Sequence, residues 1–136
     1  MHARVVSREA DEGGVAILAI AGVRIAAMDH LGYGESKQPS PNVGDEFEVE
    51  FSCLFMDDVT WQDVFSGNPN GRSELVSTGT WSYTAFGSLI AVDGQDGDAR
   101  ARCGACNLPL PIEIADSGLI GSFVSFDIQR LDAWRA

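Results

Sequence analysis

The residues with the most chemical promise are Cys103-Gly104-Ala105-Cys106, a C-x-x-C spacing suited to a redox pair or to half of a zinc site. On a continuous strand, positions three apart point to opposite faces and the two sulfurs cannot meet. A turn at Gly104 would bring them together. A zinc site would then also need Cys53 and one of His30 or His2, because the chain has no second C-x-x-C. The competing reading is that of small buried hydrophobes, the commoner fate of free cysteine. The odd total of 3 cysteines argues against a disulfide framework and fits a reducing compartment.

A second pattern is electrostatic. Between Lys37 and Arg72 lie Asp45, Glu46, Glu48, Glu50, Asp57, Asp58 and Asp63, with no Lys, Arg or His among them. Glu46, Glu48 and Glu50 alternate with Phe47, Val49 and Phe51, so on a strand the acids share one face about 7 Å apart and repel one another unless cations lie opposite. Arg100 and Arg102, also spaced by two, are the candidates for such a ladder. Facing solvent instead, the row becomes a docking surface for a basic partner. Asp57, Asp58 and Asp63 would extend it, with Trp61 as the aromatic anchor. The alternative for Trp61 is a core position beneath a short helix.

Asp29-His30-Leu31-Gly32-Tyr33-Gly34-Glu35-Ser36 resembles the D-x-x-G-x-G-x-S segment that follows a core strand in α/β-hydrolases. That family implies a G-x-S-x-G nucleophile elbow and a late histidine as base. The chain has no such elbow downstream, and its 2 histidines, His2 and His30, are both early. The resemblance therefore ends with the segment. Asp93 to Asp98 suggests a calcium loop, yet Gly104 stands where the twelfth-position glutamate belongs, so a solvated hairpin turn is the better reading. Carboxylates are so numerous that nothing selects one pair as a glycosidase-like acid and base. No catalytic residue, metal or cofactor is assigned.

These residues need strands to hold them. Ala3 to Arg8 reads as a first strand, followed by an acidic turn to Gly13-Gly14. Val15 to about Asp29 reads as one long strand, apolar on both faces and bent at Gly22. A loop covers Gly32 to Pro41, and the period-2 alternation of Glu46 to Phe55 gives the clearest strand, with Phe47, Val49, Phe51, Cys53 and Phe55 on one face. Thr60-Trp61-Gln62-Asp63 is a capping box, with Val59 and Val64 as its staple and Gly67 as its end. A Ser/Thr/Gly-rich loop reaches Gly79. Strands are then expected from Thr80 to Val92, with a bend or bulge at Gly87, from Ala99 to Asn107, and from Leu119 to Trp134 with Val124, Phe126 and Ile128 inward.

The fold expected is all-β with one short helix: a single antiparallel barrel, OB-like, spanning 1–136, with a two-sheet sandwich as the alternative. At 136 residues, 45% apolar and 21% charged, the chain suits one domain with its own core. Its longest apolar run, Val15 to Val23, is about half a membrane span and is closed by Arg24. The N-terminus shows no signal-peptide core, so the expectation is a cytoplasmic protein with no membrane segment. With 9 basic against 20 acidic residues and a net charge of -11, the chain repels phosphates, so nucleic acid is not an expected partner. The sequence thus points to a non-enzymatic, acidic interaction module that masks a basic protein, in the manner of an inhibitor or immunity protein. Two alternatives are a small barrel holding an apolar ligand near Trp81, Tyr83 and Phe86, and a metal or redox protein built on Cys103 and Cys106.

Overall fold

The computed structural model describes residues 1–9, 13–32, 40–95 and 97–136. Parts of the acidic turn after Glu9, of the hydrolase-like segment and of the Gly32 to Pro41 loop, together with Asp96, lie outside the described residues. The chain is mostly antiparallel β-sheet: β1 (His2–Arg8), β2 (Val15–Ile20), β3 (Val23–His30), β4 (Glu46–Phe55), α1 (Trp61–Ser66), β5 (Glu74–Ser77), β6 (Tyr83–Val92), β7 (Ala99–Cys103), β8 (Cys106–Pro109) and β9 (Phe123–Arg135). A single 3-10 turn, Ser117–Leu119, precedes β9.

The sheet closes partly into a ring. β1 pairs with β2, β2 with β3, β3 with β9, β9 with β4 and β4 with β1. The closing contact departs from the antiparallel expectation: β3 and β9 run parallel over Met28–Asp132, Asp29–Ala133 and His30–Trp134. Farther along β3 the ladder stops. There the Tyr83 hydroxyl donates to the Ala26 carbonyl at 2.6 Å and accepts from the Ala26 N–H at 2.9 Å, so one side chain satisfies both backbone groups at the ring's opening. On the other side of β9, the sheet continues through β6, β7 and β8, and β5 pairs with β6.

Inside the ring, period-2 alternation sends Ala3, Val5, Leu18, Ile25, Ala27, Phe47, Val49, Phe51, Leu131 and Ala133 into one core. Val124, Phe126 and Ile128 are buried as their positions on β9 foretold. The capping box forms as read: Thr60 accepts from the Asp63 N–H and the Asp63 carboxylate accepts from the Thr60 N–H. Val64 is buried beneath the helix.

Three expectations are corrected. The long strand from Val15 to Asp29 is a hairpin, because Ala21 (φ 49°) and Gly22 (φ 80°) both enter the left-handed region that a tight two-residue turn demands. Ala99 to Asn107 is likewise a hairpin, turned at Gly104 (φ 59°). The segment read as loop before Gly79 contains β5, whose Leu75 is half-buried while Val76 is exposed. Gly87 is required by a close backbone approach, since a Cβ there would lie 2.1 Å from the Arg102 carbonyl oxygen. The irregularity in β6 falls farther on, between Leu89 and Ala91.

Candidate functional site

The alternation of β4 separates two chemistries. Phe47, Val49 and Phe51 are buried, while Glu46, Glu48, Glu50, Ser52 and Leu54 face outward. The expected ladder with Arg100 and Arg102 does not form, because both arginines lie on β7, which pairs with β6 and β8. Arg102 instead donates to the Gly104 carbonyl at 3.0 Å and to Asn107 Oδ1 at 3.2 Å. The row's neighbours across the sheet come from β1, where His2 opposes Glu48 and Arg4 opposes Glu46. His2 lies 3.5 Å from Glu46 and 3.4 Å from Glu48, and the N-terminal ammonium lies 3.3 Å from Glu48. The hydrogen bond from that ammonium is the main reason the Glu48 carboxyl sits below its ordinary range, aided by the charges of the ammonium and His2 and opposed by desolvation.

Past Ser52 the same face turns apolar. Leu54 is 45% exposed, Met56 55% and Trp61, on α1, 48%. Trp61 is therefore not a core residue; its ring rests at a tilt against Phe65, with centroids 5.3 Å apart. Asp57 and Asp58 are exposed in the turn beyond β4, and Asp58 holds a positive φ of 63°. Asp63 is committed in part to capping the helix. The structure thus brings Glu46, Glu48 and Glu50 together and sets Asp57, Asp58, Asp63 and Trp61 at the other end of the strand. At a rise of about 3.3 Å per residue, the ten residues of β4 separate these ends by roughly 30 Å. Exposed Leu54 and Met56 follow the glutamate row, and the turn and helix beyond them carry Asp57, Asp58, Trp61 and Asp63.

Cys103 and Cys106 face each other across the β7–β8 hairpin, so the Gly104 turn places both side chains on one face. Both are fully buried and free, and burial pushes each thiol up to about 12. A thiol raised in this way lacks the thiolate character of a low-pKa nucleophile. Among the described residues, no group of three or more His, Cys, Asp or Glu is arranged to hold a metal ion. Tyr83 and Phe86 fall on opposite faces of β6: Tyr83 is buried with its hydroxyl held by Ala26, and Phe86 lies beneath the Arg72 guanidinium, whose Cζ is 4.1 Å from the ring centroid. Trp81 is half-buried before β6 begins.

Sequence reasoning missed two buried carboxylates. Asp29 takes a bidentate grip from Arg8, with Nε to Oδ2 at 2.6 Å and Nη2 to Oδ1 at 3.0 Å. The guanidinium also reaches the Pro41 carbonyl at 2.6 Å and the Ser40 hydroxyl. A bulge between Val5 and Ser7 shifts the alternation of β1, which turns Arg8 toward Asp29. Asp132 Oδ1 takes both His30 Nε2 and Arg130 Nε at 2.9 Å. The His30 ring stacks on Trp134, with centroids 4.2 Å apart, and Trp134 Nε1 donates to Ser52 Oγ at 2.7 Å. This cluster joins β3, β4 and β9 at the parallel contact that closes the ring. The one signal for it in the sequence is an acid at a strand position where the apolar pattern calls for none.

No helix of the described residues is long and apolar enough to cross a membrane. Comparison with protein-family models, with curated proteins and with solved structures finds no match to this chain.

Proposed function

We propose that the protein is a non-enzymatic docking module whose outer β4 strip masks a basic surface on a partner protein, as an inhibitor or immunity protein does. The observation that carries this reading is the exposure of Leu54 and Met56 between the glutamate row and Asp57 and Asp58, with Trp61 exposed on the helix beyond. Large apolar side chains at the centre with charges at the rim are the usual anatomy of a protein interface. The carboxylates supply steering, since opposite net charge raises association rates and makes them sensitive to salt. The chain's net charge of -11 favours the same class of partner and disfavours nucleic acid. The 3 unpaired thiols support work in a reducing compartment such as the cytoplasm.

The test is affinity capture from a native lysate at low ionic strength, with elution by a salt gradient. A basic protein should be retained and released as salt rises. Glu48→Lys with Asp58→Lys should then lose most of the capture, and Trp61→Ala should shorten residence by tenfold or more if it acts as a hot spot. Capture that ignores both salt and these substitutions would contradict the proposal.

A further inference from the structure

Beyond the docking strip, a cleft of about 340 Å³ opens where β6, β7 and β8 curl back toward β4, with Glu50, Phe51, Ile90, Ala91, Arg100 and Asn107 on its walls. That volume is at the lower end of small-molecule sites. The walls have distinct origins. Phe51 belongs to the buried face of β4, whereas Ile90 is 41% exposed at the bulge between Leu89 and Ala91, and bulges commonly re-aim side chains beside binding sites.

The charges are the informative part. Arg100 and Glu50 border the same cleft from different strands, yet among the described residues neither forms an ion pair. Asn107 adds an amide beside Arg100, and its backbone N–H is met only by the Met1 sulfur at 3.2 Å, a weak acceptor that a ligand oxygen could replace.

A separated cation and anion over an apolar wall complement a ligand that carries an anion, a cation and an apolar group. We infer that this cleft binds a free α-amino acid with an apolar side chain, its carboxylate on Arg100 and Asn107, its ammonium on Glu50, and its side chain against Ile90 and Ala91. The cleft shares Glu50 with the docking strip, but Arg100, Ile90 and Asn107 lie outside it, so the Arg100→Gln variant tests ligand binding without altering the strip.

The test is a titration of the full chain with L-leucine, followed by the backbone amide signals of Phe51, Ile90 and Asn107. Isocaproate, which lacks the ammonium, and isoamylamine, which lacks the carboxylate, serve as half-ligands. The expected result is saturable shifts with a dissociation constant on the order of 0.1–1 mM. Each half-ligand and the Arg100→Gln variant should bind about tenfold more weakly or worse, as a lost charge-assisted contact implies. Because Arg100 is exposed, that variant should keep the wild-type amide spectrum away from the cleft. No saturable shift, equal binding of either half-ligand, or unchanged binding by folded Arg100→Gln would overturn the assignment.

Discussion

Two sets of carboxylates in this molecule have opposite fates. Asp29 and Asp132 are 3% and 4% exposed, and each is held by charged or ring nitrogens: Asp29 by Arg8, Asp132 by Arg130 and His30. Glu46, Glu48 and Glu50 are exposed; Glu46 and Glu48 meet His2 and the N-terminal ammonium at 3.3 Å or more, and Glu50 forms no ion pair among the described residues. The same functional group thus fastens strands in one place and is left to meet solvent in the other. Burial decides which: an ion in the interior must be paired because the desolvation cost is otherwise not offset, whereas a surface pair changes stability little.

The contrast breaks most severely at Asp29. Asp29→Ala leaves the Arg8 guanidinium with one partner set removed, and chemical denaturation should show a loss of about 3–5 kcal/mol. Next comes Asn68, buried at 3% exposure, which donates to the carbonyls of Arg72, Gly87 and Val124 and accepts from the Arg72 N–H. Asn68→Ala orphans those groups and should cost about 2–3 kcal/mol by the same measurement.

A third effect is set by pH. Cys103 and Cys106 keep their protons in the fold until about 12, whereas the unfolded thiols ionise near 9.0. Between those values the unfolded state binds fewer protons, so stability present below pH 9 falls as pH rises, by about 1.4 kcal/mol per unit per thiol. Denaturation midpoints across that window should show the decline, and replacing both cysteines with alanine should reduce it to the share of Cys53, whose thiol burial also pushes up to about 12. The smallest effect belongs to the exposed row. Glu46→Gln and Glu50→Gln should each move stability by no more than about 0.5 kcal/mol.

The sequence was legible where one local rule governs. The alternation of Glu46 to Phe55 gave β4 and both its faces, and Thr60 with Asp63 gave the helix start. It was less legible where two rules competed. Val15 to Asp29 is apolar throughout, so the hydrophobic pattern ran across Ala21-Gly22 and hid a turn defined by backbone dihedrals. Ala99 to Asn107 read as one strand for the same reason, although a turn at Gly104 was the condition for Cys103 and Cys106 to meet, and the structure has that turn. The neighbours of the glutamate row could not be read at all, since strand order depends on contacts far apart in the chain. Arg100 was placed opposite the row by spacing alone, whereas the sheet carries it to β7. Trp61 needed the same long-range information, because helix position does not say which side of the helix meets the sheet.

The most direct test of the account combines stability and association in one variant, Glu46→Gln/Glu48→Gln/Glu50→Gln, compared with the wild-type chain. The account predicts a denaturation midpoint within error of wild type together with loss of salt-dependent capture of the basic partner. A variant that unfolds more readily while retaining full capture would contradict it, and would make the row a structural element of the sheet.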